Sequence, residues 1–128
     1  MINICSIRDL KNYANCEQYA IVRSLKNPIK GVSQMPELSP DWNLFKFYLN
    51  EKNQGTWNVE TFQNEYVPRF INQIKKDAQA RKTLERLIKE SHTKDIALAC
   101  FCSNIDMCHR KIIAAILKKA GAAIGDII

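Results

Sequence analysis

The chain has 128 residues, of which 46% are hydrophobic and 25% charged, a balance near the average of soluble globular proteins that excludes disordered and fibrous classes. At this length one domain buries roughly two-thirds of the surface its unfolded chain exposes, so no disulfide or metal staple is needed for folding. A net charge of +6 keeps an anionic partner in view, while an odd count of five cysteines, the lack of a leader-like N-terminus and the lack of a bilayer-length apolar run point to a cytoplasmic protein with reduced thiols and no membrane association.

The opening MINICSI alternates apolar and small polar residues and reads as a strand, followed by a short helix in RDLKNYANC. YAIVRSL is rich in apolar and β-branched residues and reads as a second strand, with Arg23 and Ser24 at its carboxyl end. Lys26 to Pro40, which holds the only proline-rich stretch, is expected to be an ordered loop. Ser39 then suits a helix cap and Pro40 the first helical position, where a missing N–H costs nothing.

In the helix that follows, Trp42, Phe45 and Leu49 form one line, broadened by Leu44, Phe47 and Tyr48, so most of its circumference is expected to be buried. A base-stacking platform is the alternative for these aromatics. Asn58 is placed to cap a second helix with a stripe of Phe62, Tyr66, Phe70, Ile71 and Ile74, which Pro68 should kink or split. A third helix carries Ala80, Leu84, Leu87, Ile88 and Ser91 on one face. Its opposite charges are interspersed, as in KKDAQARKTLERLIKE, which favours a solvated face over a nucleic-acid surface.

HTKDIALACFC then switches to a continuous apolar run of strand length. The last helix is expected to start near Cys108, bury Ile112, Ile113, Ile116 and Leu117, and end at Gly121, leaving AAIGDII as a closing strand. Apolar strands separated by amphipathic helices imply a three-layer α/β domain with a mainly parallel sheet covered on both faces. In such sheets ligands bind beyond the carboxyl ends of the strands.

The densest chemistry lies there, in CFCSNIDMCHR. Cys100 and Cys102 fall on one face of the strand and Cys108 returns after a five-residue gap, so with His109 they make a possible Cys3His metal set. The spacing C-x-C-x5-C-H departs from the usual tetrahedral zinc patterns, and neighbouring Cys108 and His109 on a helix should diverge, so no metal or other cofactor is expected. Cys100 reads as a small buried hydrophobe. Cys108 reads as either a packed thiol or a thiolate activated by the helix N-terminus, assuming that Asn104 or Asp106 caps the helix. His109 is open between a structural role and an acid/base one, and Arg110 between an internal ion pair and an anionic ligand.

Arg110 with Arg23 and Ser24 at the end of the second strand, Ser6 and Arg8 after the first, and Tyr66 and Arg69 on the middle helix are the residues expected to form a basic pocket for a phosphate or nucleotide. Catalysis, where present, is assigned to Cys108 and His109. A metal-binding module and a basic macromolecule-binding protein, with nucleic acid among its partners, are the alternatives.

IVRSL, the LSP loop, EYVPRF and above all IALACFCSNIDMCHRKIIAAIL resemble the DUF488 family over nearly the whole chain. The resemblance implies a compact Rossmann-like α/β domain whose site holds Cys100, Cys108, His109 and Arg110, with Arg23 beside them. Members of that family often carry glutamate two residues after the strand cysteine; Cys102 stands there in this chain, so the resemblance implies no carboxylate acid or base at that position.

Overall fold

The computed structural model describes residues 1–102 and 104–128. Five strands, β1 (Ile2–Ser6), β2 (Glu17–Ala20), β3 (Val32–Gln34), β4 (Ile96–Cys100) and β5 (Ile124–Ile127), form one sheet in the order β3-β2-β4-β1-β5. Every described pairing is parallel, so the domain is an α/β fold of the expected class. The helices are α1 (Trp42–Asn53), α2 (Val59–Thr61), α3 (Val67–Lys76), α4 (Ala78–Glu90) and α5 (His109–Lys119). No helix among the described residues is long and apolar enough to cross a membrane.

β4 is central and buried along its whole length. Its register sets Ile96 beside Ile2, Leu98 beside Ile4 and Cys100 beside Ser6. Because side chains alternate across a strand, Ile96, Leu98 and Cys100 face one side, and Ala97 and Ala99 the other. The first side meets Phe70 and Ile74 of α3, Leu84 and Leu87 of α4, and Ile113 and Leu117 of α5 in the main core. The second side is covered by the 3-10 helix Ile7–Tyr13, whose Leu10 packs with Cys5, Ala97 and Ala99. Small residues there let a thin layer close the sheet, so the two covering layers are unequal.

Several local expectations change. The second strand ends at Ala20 rather than Leu25: Ile21 makes a last sheet hydrogen bond to the Ala99 carbonyl at 2.8 Å, and Val22 to Ser24 then leave the sheet. The stretch expected to be all loop contains β3, an edge strand of three residues just after Gly31, which sits at φ +80°. Asp41, rather than Ser39, caps α1, its carboxylate accepting from Leu44 N at 2.8 Å. The Ser39 hydroxyl instead donates to the Pro36 carbonyl at 2.6 Å, closing the 3-10 turn Pro36–Leu38. α1 is far less buried than its apolar line suggests: only Leu44 is fully covered, and Trp42 is 56% exposed.

Asn58 caps α2 as expected, through Thr61 N at 2.8 Å. α2 and α3 are joined by a π-helical turn, Phe62–Tyr66, ending just before Pro68. A wider turn leaves the carbonyl opposite the proline ring without the usual clash, so the helix absorbs Pro68 by widening. α5 closes at Gly121, φ +96°, where Ala122 N reaches back to the Leu117 carbonyl at 3.0 Å.

Leu98→Ala should cost about 2–5 kcal/mol in urea denaturation, because the cavity would lie at the centre of the main core. Asp41→Ala should cost about 1 kcal/mol, as expected for a lost helix cap.

Candidate functional site

The carboxyl ends of β2 and β4 are neighbours in the sheet, and the chain turns away from it after both. A cleft of about 520 Å³ opens above them. Val22, Arg23 and Ser24 after β2 and Phe101 and Cys102 after β4 contribute to its floor, with His109 of α5. Trp42, Phe45 and Tyr48 of α1, Trp57 before α2, and Tyr66 of the π turn form its wall.

These rings form a chain of contacts. Trp42 meets Phe45 edge-on at 6.0 Å between centroids, Tyr48 meets Trp57 at 4.8 Å, and Trp57 meets Tyr66 at 5.4 Å. The Trp42–Phe45 line that helical periodicity assigns to a core is thus left at the rim of a cleft, where apolar rings retain exposure. Phe101, 61% exposed, stands on the β4 side.

Arg23 is half-buried in the cleft, where its Nε donates to the Pro40 carbonyl at 3.2 Å and its Nη2 to the Ser39 carbonyl at 3.0 Å. Both partners are neutral, and among the described residues no carboxylate forms an ion pair with it. A guanidinium offers five N–H donors, so this one is held in place with donors still to give.

Three cysteines cluster at the cleft floor, Cys102 bordering the cleft and Cys100 and Cys108 buried beneath it. The Sγ atoms of Cys100, Cys102 and Cys108 and a ring nitrogen of His109 all fall within 4.8 Å of one another. Cys100 Sγ is 3.1 Å from Cys108 Sγ, and Cys108 Sγ is 3.7 Å from His109 Nδ1. The expected divergence of Cys108 and His109 does not occur. Cys108 is the residue before α5, with extended backbone angles of φ −122° and ψ 146°, so its side chain does not follow helical spacing. It makes no cap of its own, and Asn104 caps the preceding 3-10 turn Ile105–Met107 instead of α5. Asp106 pairs with Lys111 at the surface, 3.3 Å away.

His109 is buried, and its Nε2 lies 2.7 Å from the Ile21 carbonyl. A carbonyl only accepts, so Nε2 carries the proton and Nδ1 presents its lone pair toward Cys108. Burial lowers the His109 pKa, which keeps the ring neutral.

Arg110, 2% exposed, donates from Nη1 to Cys100 Sγ at 3.3 Å, to Cys108 Sγ at 3.6 Å and to the Cys102 carbonyl, and from Nε to the main-chain oxygen of Ile128 at 3.2 Å. Burial works against its charge, but the hydrogen bond and negative charge of Cys100 outweigh that and raise its pKa. The Cys100 thiol is held well below the ordinary thiol range by hydrogen bonds from Cys102 and Cys108, with Arg110 adding to them. Hydrogen bonding to Cys100 pushes the Cys108 thiol up, and it pushes the Cys102 thiol up to about 12. Within the cluster the hydrogen bonds thus favour negative charge at Cys100 over Cys108, whose role the sequence leaves open between a packed thiol and an activated thiolate. Cys108 is also buried, so the thiol that borders the cleft is Cys102.

Of the residues singled out in the sequence, Arg23, Ser24, Tyr66 and His109 line the cleft, and Cys108 and Arg110 lie in the cluster under it. The other three stand apart. Ser6 is buried at the end of β1, Arg8 is exposed on the 3-10 helix after it, and neither lines the cleft. Arg69 stacks on Phe47 at 4.2 Å and borders a separate shallow polar hollow with Asp41, Asn72 and Asp77. The buried stripe of this helix runs through Tyr66 and Phe70, which stack on each other, and Arg69, one residue before Phe70, lies off that stripe and is exposed. Trp57 and Met107, which the sequence reading passes over, do line the cleft. Each is a single residue outside a periodic segment, so no pattern marks it.

The family described as DUF488-N3a: Active DUF488-N3 subclade matches residues 2–121. No curated protein and no solved structure matches the chain.

Alkylation of the reduced, chelator-treated chain should modify Cys102 and half-buried Cys16 while Cys5, Cys100 and Cys108 stay protected until unfolding. The thiolate is the reacting form. The Cys102 rate should therefore go on rising with pH beyond the ordinary thiol range, because its thiol is pushed up. Peptide mapping by mass spectrometry after timed quenching reads both effects.

Proposed function

The chain belongs to the DUF488 family, in the subclade DUF488-N3a, and on that premise we propose that it binds a phosphorylated small molecule with a flat ring, of nucleotide type, in the aromatic cleft at the carboxyl edge of the sheet. The observation that carries this reading is one juxtaposition: a wall of aromatic rings facing a fixed arginine that has no ion-pair partner among the described residues. Rings of Trp42, Phe45 and Trp57 offer faces and edges for stacking a base, a contact worth about 1–3 kcal/mol per base. Arg23 supplies the charge for a phosphate, and the Ser24 hydroxyl lies beside it.

His109 contributes less than an acid/base role would require. Its Nε2–H is committed to Ile21, and its neutral Nδ1 faces the cysteines rather than open solvent. Cys102 is the thiol that borders a bound ligand, and its raised pKa makes it a weak nucleophile, so the reading proposed is binding rather than a cysteine-dependent reaction. The protein works in the cytoplasm in this reading, where its thiols remain reduced. The description of the subclade as active accords with a working site and names no reaction.

A thermal-shift and calorimetric panel of nucleotides and phosphorylated metabolites tests the reading. A nucleotide should stabilise the parent chain, and Arg23→Gln should weaken its binding roughly 10- to 150-fold, the equivalent of losing a charge-assisted hydrogen bond. Trp42→Ala, at an exposed rim position, should weaken binding while leaving the melting temperature of the free protein nearly unchanged. A panel without any stabilising ligand, or an Arg23→Gln variant that binds as the parent does, would remove the proposal.

A further inference from the structure

We infer that Cys100, Cys102, Cys108 and the Nδ1 atom of His109 form a binding site for a single zinc ion, held under the floor of the cleft. The inference does not depend on what the cleft binds.

Three observations converge on it. The first is the donor geometry. Tetrahedral zinc with Zn–S near 2.3 Å and Zn–N near 2.0 Å sets ligand atoms about 3.5–3.8 Å apart. Here all four donors lie within 4.8 Å of one another, with 3.1 Å between Cys100 and Cys108 and 3.7 Å between Cys108 and His109 Nδ1. Changes of about 1 Å or less in side-chain position would bring such a set around one ion. The donors come from two elements, the end of β4 and the start of α5, so the fold supplies what the linear spacing lacks.

The second is the histidine tautomer. A metal-bound imidazole needs one nitrogen without a proton, and its other N–H is usually anchored by a carbonyl or carboxylate. The Ile21 carbonyl anchors Nε2–H at 2.7 Å and leaves Nδ1 directed at the sulfurs. A histidine serving only as core packing would have no need to present a lone pair to three thiols.

The third is charge. Arg110 is a buried guanidinium whose described side-chain partners are the sulfurs of Cys100 and Cys108, its other contacts being the main-chain oxygens of Cys102 and Ile128. A buried cation needs a counter-charge. Zn2+ with three thiolates and a neutral imidazole carries a net −1, which Arg110 balances, and its Nη1–H groups supply the N–H···S bonds that thiolate ligands accept. On binding, any of the three cysteines still protonated gives up its S–H proton to solvent, and each sulfur shares a lone pair with the ion, so no redox step is involved. Three soft thiolates and an imidazole in tetrahedral array favour zinc over the hard oxygen-seeking cations.

The test uses the full chain, reduced, stripped with a chelator and titrated anaerobically with Co2+ as a spectroscopic stand-in. The expected result is saturation at one cobalt per chain, with thiolate-to-cobalt charge-transfer bands, strong tetrahedral d–d bands, and loss of both when Zn2+ is added. Cys16→Ser, outside the cluster, should leave the spectrum unchanged; Cys100→Ser and Cys108→Ser should each lower the charge-transfer intensity and weaken binding at least tenfold. Arg110→Leu keeps all four donors and should weaken binding about 10- to 100-fold, as loss of an outer hydrogen bond to a ligand does. Where a variant fails to fold, the parent titration still decides. A parent without thiolate-to-cobalt bands, a weak octahedral spectrum, or bands unchanged in both Cys100→Ser and Cys108→Ser would each overturn the inference.

Discussion

Burial of the Arg110 guanidinium against the sulfurs of Cys100 and Cys108 is the interaction on which the site is organised. It ties the last residue of β4 to the first turn of α5 and, through the Cys102 carbonyl, holds the segment that follows β4. A charge taken out of water is tolerated only where its donors are satisfied and a negative partner is close. The sulfur cluster fills both needs, so the order of the cluster and the ionisation of Arg110 depend on each other. His109 adds a second tie, from α5 to the turn after β2 at Ile21. Together these contacts fix the ends of β2 and β4 side by side and so set the floor of the cleft.

Above that floor the molecule spends aromatic residues in an unusual place. Trp42 and Phe45 stay exposed and touch each other and, through Tyr48, Trp57, which packs on the edge of the main core. Burying all of α1 would have removed more apolar surface from water. Its partial exposure is therefore a cost in folding that a ligand with an apolar face could recover on binding. The π turn at Phe62–Tyr66 contributes to the same outcome, because it sets Tyr66 beside Trp57 while Phe70 continues down to contact His109. One helix thereby serves both the wall of the cleft and the packing around the cluster.

Much of the architecture was legible in the sequence. The apolar run of β4, the glycine stop after α5, the cap at Asn58 and the family motif around CHR all report local physics that tertiary contacts reinforce. What the sequence concealed depends on contacts between distant segments. β3 is too short to show alternation, and its identity as a strand comes from pairing with β2. The stripe of α1 has the spacing of a core helix, and only the packing of the neighbouring elements decides that it borders a cleft. Similarly, the C-x-C-x5-C-H spacing looks poor for convergence because it assumes that Cys108 lies inside a helix. Its extended backbone one residue before α5 reverses the conclusion. Arg69 is lost from the site because it lies off the buried stripe of Tyr66 and Phe70 that faces the cleft and the core.

The central claim, that the aromatic cleft is a ligand site, has a direct spectroscopic reporter. The chain has two tryptophans, Trp42 and Trp57, and both line the cleft. Their indole N–H resonances in a proton–nitrogen correlation spectrum can be followed while adenosine monophosphate and related nucleotides are titrated into the labelled chain. The account predicts that both resonances shift together and saturate, with the backbone amides of Arg23 and Ser24 moving along the same isotherm. Indole resonances that stay fixed across the nucleotide series, or shifts confined to the hollow around Arg69 and Asp77, would contradict it.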